Sequence, residues 1–269
     1  MRSRLLFLLL VFPCLLPAQV FMRPVDNSAA LALGGAVVAY PGAGAGLHND
    51  AMPGMGKKAG VFLGSALPYG IGSWQSVHVQ GFMRLGRQDG IGLDVTHSAI
   101  EAYGEQRFRL IYGRRLGAKF HLGGSADVMR VSAQEYGNAT TMGFGISLLA
   151  SPLPGLWLGV RVQNPLQLEL SDAVIPTVLR VGAAWEAAST LIVLAETEKD
   201  LERPVQIKAG IEYRPLQLLA LRIGLRTEPA RLGFGAGVKV TNSLTIDTGA
   251  EWHPALGFTP TAMVVWRKD

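Results

Sequence analysis

Beyond residue 58, hydrophobic side chains recur at every second position. Over 205–214, Val205, Ile207, Ala209, Ile211 and Tyr213 alternate with Gln206, Lys208, Gly210, Glu212 and Arg214. Over 219–226, Leu219, Leu221, Ile223 and Leu225 alternate with Ala220, Arg222, Gly224 and Arg226. The same reading holds for 231–240, and for 244–252, where Leu244, Ile246, Thr248, Ala250 and Trp252 oppose Thr245, Asp247, Gly249 and Glu251. Successive strand side chains point to opposite faces, so period two predicts strands with one apolar and one polar face.

Read this way, the chain predicts fourteen strands, near 58–67, 74–85, 90–98, 106–114, 118–130, 140–150, 156–163, 177–186, 190–197, 204–214, 218–226, 231–240, 244–252 and 258–268. Their connections alternate in length. Arg87-Gln88-Asp89, Arg115-Leu116-Gly117, Pro152–Gly155 and Pro215-Leu216-Gln217 are short, whereas 99–105, 131–139, 164–176 and 198–203 are longer and more polar. Bacterial outer-membrane barrels have short periplasmic turns and longer outer loops. An even strand number then puts both termini in the periplasm.

A soluble sandwich would show the same alternation. Two features favour a barrel. The polar face carries full charges, including Lys208, Glu212, Arg222, Lys239, Asp247 and Glu251, as a hydrated lumen with cross-strand ion pairs requires. Aromatic residues gather near strand ends (Tyr69, Trp74, Tyr103, Trp157, Trp185, Tyr213, Trp252 and Trp266), and Tyr and Trp favour the membrane boundary. Three stretches free of Asp, Glu, Lys and Arg (27–49, 59–83 and 136–160) are long enough for a spanning helix, but Gly and Pro interrupt each one.

Composition narrows the class. The 269 residues are 49% hydrophobic and only 17% charged, with 33 Gly; soluble domains carry roughly 25% charge, and a disordered chain is excluded. Arg2 and Arg4 precede an apolar run from Leu5 to Leu16 and a small residue, Ala18, which reads as a signal peptide over 1–18 cleaved after Ala18. Removing it leaves 23 of the 25 basic residues against 20 acidic ones, a net +3, and takes away Cys14, the single cysteine. Thiol chemistry is thereby excluded, and the residual charge is too small and scattered for a nucleic-acid partner. The expected location is the outer membrane of a Gram-negative bacterium, in contact with its lipid.

The N-terminal half carries a resemblance. Asn27-Ser28-Ala29-Ala30-Leu31-Ala32-Leu33-Gly34-Gly35-Ala36-Val37-Val38-Ala39 runs into Leu47-His48-Asn49-Asp50-Ala51-Met52-Pro53-Gly54, and strands beginning Ala59-Gly60-Val61-Phe62 follow. This resembles the long-chain fatty-acid-transporter superfamily of outer-membrane barrels, and within it the smaller PorV/PorQ-like proteins, which show a GGA-x-x-A stretch and then Asn-Pro-Ala. Asp50 stands here where those proteins have Pro. Val162-Gln163-Asn164 is similar to their mid-barrel Val-x-Asn. The resemblance implies an all-β transmembrane antiparallel barrel of fourteen strands over 58–269 and an N-terminal plug or hatch within 19–57, with Gly34, Gly35, Asn49 and Asp50 in the plug.

The resemblance implies two functions. One is an accessory of protein export or surface attachment, type IX secretion-like, whose partners are export components or secreted cargo. The alternative is a transporter binding a hydrophobic small molecule near the plug; it calls for an apolar patch on the inward face, where the sequence offers mostly Gly and charge. Asp94, Arg107, Arg109, Asp127, Arg161 and Arg180 fall on the polar faces of their strands. With Lys208, Glu212, Arg222, Lys239, Asp247 and Glu251, they either line a route through the lumen or form a structural network. Gly233, Gly235 and Gly237 either relieve crowding in the lumen or let the plug approach. No cofactor is predicted. The five His (His48, His78, His97, His121 and His253) give no metal-ligand spacing. His97 and Ser98, as strand neighbours, face opposite ways, so no enzyme is expected.

Overall fold

The computed structural model describes residues 20–21, 27–42, 48–55, 58–170 and 173–268; the signal segment read over 1–18 lies outside them. A short helix α1 (Ser28–Ala32) and a 3-10 turn (Met52–Gly54) precede β1 (Ala59–Ala66), β2 (Trp74–Leu85), β3 (Asp89–Ile100), β4 (Tyr103–Leu116), β5 (Phe120–Ala133), β6 (Gly137–Leu153) and β7 (Leu156–Gln163). A two-stranded ribbon, β8 (Glu169–Leu170) and β9 (Ala173–Val174), lies in the longest connection. The chain continues with β10 (Val178–Ala188), β11 (Leu191–Asp200), β12 (Gln206–Leu216), β13 (Leu219–Arg226), β14 (Arg231–Lys239), β15 (Leu244–His253) and β16 (Gly257–Lys268). All but β8 and β9 form one closed ring of fourteen strands, antiparallel throughout and closed by β1 against β16 from Ala59↔Lys268 to Ala66↔Thr261.

Each of the fourteen predicted segments corresponds to one barrel strand. The main difference is at one rim, where β3 and β4 are joined by residues 101–102 alone and β5 and β6 by 134–136. The sequence reading places longer loops there. Ser98, Glu105, Ser132 and Asn138 put polar groups into the alternation beyond the lipid, which hides it, while the ladder hydrogen bonds continue regardless (Ser98↔Glu105, Ser132↔Asn138).

Burial settles sandwich against barrel. Phe108, Leu110, Met142, Ile146, Ile207 and Ile223 are all more than half exposed, whereas Glu212, Asp94 and Asp247 have no exposed surface. Leaving each large apolar side chain in water would forgo roughly 1.5–3 kcal/mol. A barrel that is apolar outside and charged inside is a membrane structure. Among the described residues no helix is long and apolar enough to cross a membrane.

The barrel's own ends, Ala59 and Lys268, meet at one rim, which also carries the short turns 86–88, 117–119, 154–155, 189–190 and 217–218. The other rim carries 67–73, 164–177 and 201–205. These are the periplasmic and outer rims respectively.

The N-terminal segment lies inside the barrel. Residues 27–40 are buried, and α1 packs on β14 and β15. Asn27 caps α1, its side chain accepting from the Ala30 N–H at 2.7 Å. The helix ends in two left-handed glycines, Gly34 (φ 65°) and Gly35 (φ 78°). Their N–H groups bond back to Leu31 and Ala30 carbonyls, a Schellman closure that only glycine makes without strain. Leu33, Val37, Val38 and Tyr40 then pack with Leu149, Ile192 and Leu194 of the wall. At the outer rim, the Phe21 N–H donates to Glu105 Oε1 at 3.0 Å, so the described chain starts at the rim opposite the barrel's own ends.

Candidate functional site

The lumen is built from three layers: the N-terminal segment, the charged faces of the strands around it, and a cavity above it. The segment sits directly on wall backbone. A Cβ on Gly224 would lie 2.1 Å from the Leu33 carbonyl carbon, and one on Gly123 would lie 2.1 Å from that of Asp50. The two readings of the β14 glycines divide by position. Gly233 faces the Leu31 carbonyl, letting the segment approach, whereas Gly237 makes room for the Arg222 and Asp247 side chains.

Polar contacts fix the same segment. The Val38 N–H donates to Glu196 Oε2 at 2.8 Å, and the Tyr40 hydroxyl donates to Glu212 Oε2 at 2.5 Å. Burial, reinforced by the Glu212 charge, drives the Tyr40 pKa far up, so it stays a donor. Asn49 Nδ2 donates to the Val38 carbonyl at 2.9 Å and to that of Leu148 at 3.3 Å. Asp50 Oδ2 accepts from Ser147 Oγ at 2.9 Å and from Arg161 Nε at 3.3 Å; this carboxylate is a tether to β6 and β7. His48 Nε2 lies 3.3 Å from Asn27 Nδ2. Burial, then Arg180 and Arg161, holds His48 well below the usual histidine range and hence neutral.

The predicted lumen residues fall into two groups. On β10–β15, Arg180 Nε meets Glu198 Oε2 at 2.6 Å, and Lys208 Nζ meets Glu196 Oε1 at 3.0 Å and Glu198 Oε2 at 2.7 Å. Arg222 Nε meets Glu212 Oε2 at 2.6 Å and also pairs with Asp247, while Glu251 pairs with Arg226 and, at 2.8 Å, with Arg231. On β3–β7, Arg109 Nε meets Asp127 Oδ1 at 2.5 Å, and Asp94 Oδ2 is 3.9 Å from Arg107 Nη2. Lys239 is not brought into either group; it is half-buried near the barrel's own ends, in no ion pair among the described residues. Glu196, Glu198 and Tyr40 join the network without having been singled out in the sequence. The pair Glu196 and Glu198, alternating within Leu194-Ala195-Glu196-Thr197-Glu198, was the available signal.

Above α1, toward the outer rim, a cavity of about 490 Å³ has Leu31 at its floor. One wall carries the apolar and aromatic residues Ala66, Pro68, Tyr69, Trp74, Ile100 and Tyr103, interspersed with Ser76, Ser98 and Glu105. The facing wall is charged: Arg180, Glu198, Lys208, Arg226, Arg231 and Glu251. The aromatic polar tips are occupied sideways, Trp74 Nε1 donating to Ser98 Oγ at 3.0 Å and the Tyr103 hydroxyl to Glu105 Oε1 at 2.7 Å. That leaves ring surface for the cavity. Tyr69 and Trp74 meet edge to face with centroids 5.9 Å apart. The volume falls within the roughly 300–1,000 Å³ usual for a small-molecule site.

This corrects two sequence expectations. The inward face does carry an apolar patch, supplied by the 67–73 connection and the outer ends of β1–β4 rather than by mid-strand positions. Tyr69, Trp74 and Tyr103 line the cavity, and Trp157 packs against the buried N-terminal segment. Trp185, Tyr213 and Trp266 do face outward, as the boundary reading expects. Asn164 organises the longest connection: its Nδ2 donates to the Leu168 and Ile175 carbonyls, each at 3.1 Å, and its Oδ1 accepts from the Leu168 N–H at 2.9 Å. Leu170 and Ile175 pack on Met129. Among the described residues no cluster of His, Cys, Asp and Glu is arranged to hold a metal ion.

No family model matches the sequence, and no curated protein matches it. Solved structures do match the fold. The toluene transporter TbuX of Ralstonia pickettii superposes with a TM-score of 0.70 at 12% identity, over 90% of this chain and 98% of that one. The Pseudomonas putida toluene transporter TodX gives 0.69 at 11% identity, over 93% and 100%. A Pseudomonas aeruginosa FadL homologue gives 0.63 at 12%, over 92% and 98%. At these identities the likeness is one of fold, that of FadL-type outer-membrane barrels.

Proposed function

We propose that the chain is an outer-membrane transporter for small hydrophobic molecules, with residues 1–18 directing its export and residues within 19–57 acting as a hatch. The observation that carries this reading is the outward cavity, apolar on one wall and closed below by Leu31 of the N-terminal segment. A molecule partitioning from outside meets Tyr69, Trp74 and Tyr103 first, and burying its surface there supplies roughly 25 cal/mol per Å². Passage then requires the segment to shift, and the molecule is moved without being chemically changed. The fold's likeness to the toluene transporters supports a compact apolar substrate.

The test is uptake of a radiolabelled monoaromatic hydrocarbon by cells that carry this protein as their sole barrel of the type. The chain should raise the rate over an empty control, and Leu31→Arg, which puts a charge on the cavity floor, should abolish the gain while leaving a folded barrel. Equal uptake with and without the protein would contradict the reading. A second reading, a PorV/PorQ-like accessory binding export components or cargo, is favoured by Gly34-Gly35-Ala36 and by the brevity of the outer connections at 101–102 and 134–136. Co-purification of secretion partners from the native envelope would support it.

A further inference from the structure

The two rims carry opposite charge, and the lumen does not account for it. At the outer rim the connections expose acids, among them Glu101, Glu135, Glu202 and Glu228. At the periplasmic rim, the β2–β3 and β4–β5 turns bring together Arg84, Arg87, Arg114, Arg115 and Lys119, with Asp89 as the one acid between them. These turns form one surface, because the Arg115 N–H donates to the Gln88 carbonyl at 2.8 Å. Asp89 compensates little: it accepts from the Tyr112 hydroxyl and stands 3.6 Å from Arg114, which is half exposed.

Two of the other cations are held by neutral groups. Arg115 Nε donates to the Gly117 carbonyl at 2.8 Å and Lys119 Nζ to that of Pro152 at 2.9 Å. Neither these two nor Arg87 has a carboxylate partner among the described residues. The backbone thus orients Arg115 and Lys119 without neutralising them. Directly beside them the lipid-facing band ends in exposed Leu85, Tyr112, Leu116 and Phe120. Basic heads at the edge of an apolar band sit at the depth of lipid phosphates.

We propose that this patch binds anionic phospholipid headgroups of the inner leaflet of the outer membrane. The geometry favours lipid over a soluble acidic partner because the charges are continuous with the band that acyl chains already cover. A phosphodiester accepts from several cations at once and brings the negative charge that the surface lacks. The inference rests on the membrane orientation and not on transport, so it stands or falls separately from the substrate.

The full-length barrel, purified in detergent, is exchanged with mixed micelles of phosphatidylglycerol and phosphatidylethanolamine, and the retained lipid is identified by native mass spectrometry. Phosphatidylglycerol should be retained severalfold over phosphatidylethanolamine. The variant Arg87→Gln/Arg114→Gln/Arg115→Gln/Lys119→Gln should bring that ratio close to one, since each basic residue near such a surface is worth roughly fivefold. Lys199→Gln at the outer rim should leave it unchanged, and heat-shifted gel mobility checks that every variant remains folded. Equal retention of the two lipids, or an unchanged ratio in the fourfold variant, would overturn the proposal. Capture of an acidic periplasmic protein without any lipid preference would overturn it too, and would assign the patch to that partner.

Discussion

The two sides of the lumen handle buried charge differently. Along β10–β15, Glu196, Glu198, Glu212, Asp247 and Glu251 each meet a basic side chain, and Glu196 and Glu212 also hold the N-terminal segment. Along β2 and β3, His78, Gln80 and Asp94 are at most 1% exposed, yet both His78 nitrogens, Gln80 Oε1 and both Asp94 oxygens lack a hydrogen-bond partner. A matched buried network fails when one member is removed, because it strands the others. An unmatched buried group already carries its desolvation cost. Residues 38–40 are therefore held by ion-paired carboxylates of β11 and β12, whereas Asp50 is tethered to β6 and β7 and Pro53 sits on the Gly90 backbone of β3 without help from His78, Gln80 or Asp94.

Substitutions can break or sharpen that contrast. The largest effect is expected from Glu212→Leu, which leaves Arg222 with Asp247 alone and the Tyr40 hydroxyl without its acceptor, and should cost about 3–5 kcal/mol in urea unfolding from lipid vesicles. Gly224→Val forces a side chain into the Leu33 backbone and should cost about 1–3 kcal/mol, with new protease cleavage inside residues 27–40. Acid comes next. The buried His48 has its pKa well below its unfolded value of 6.5, so the seated segment binds fewer protons than the released one. Seating should hold above pH 6.5 and weaken below it, by up to about 1.4 kcal/mol per pH unit; proteolysis followed against pH reads this, and His48→Gln should flatten the profile. The smallest change is expected from Asp94→Asn, within about 1 kcal/mol of the parent. A loss there as large as that of Glu212→Leu would erase the distinction between the two sides.

The alternation of Ile207, Ala209, Ile211 and Tyr213 with Lys208, Gly210, Glu212 and Arg214 made the strands and their inward faces legible, because a lipid-facing wall forces period two. The positions of Lys208, Glu212 and Arg222 in the lumen followed from the same rule. The cavity did not follow. Tyr69 lies in a connection, Trp74 opens a strand and Leu31 belongs to the short helix, and no local period relates them. Only the path of the N-terminal segment through the barrel brings the three together. Gly34 and Gly35 were legible as a break but not as a Schellman closure, which depends on the preceding turn. Asp50 read as a departure from a motif, whereas its partner Arg161 is supplied by a strand far along the chain.

The proposed transport requires that an apolar molecule occupy the cavity between the aromatic residues and Leu31. Crystals soaked with bromobenzene test it directly through the anomalous signal of the halogen. A bromine peak is expected within van der Waals reach of Trp74, Tyr103 and Leu31, absent in crystals of Leu31→Arg. Crystals that bind the compound only on the outer surface of the barrel, with this cavity unoccupied, would contradict it.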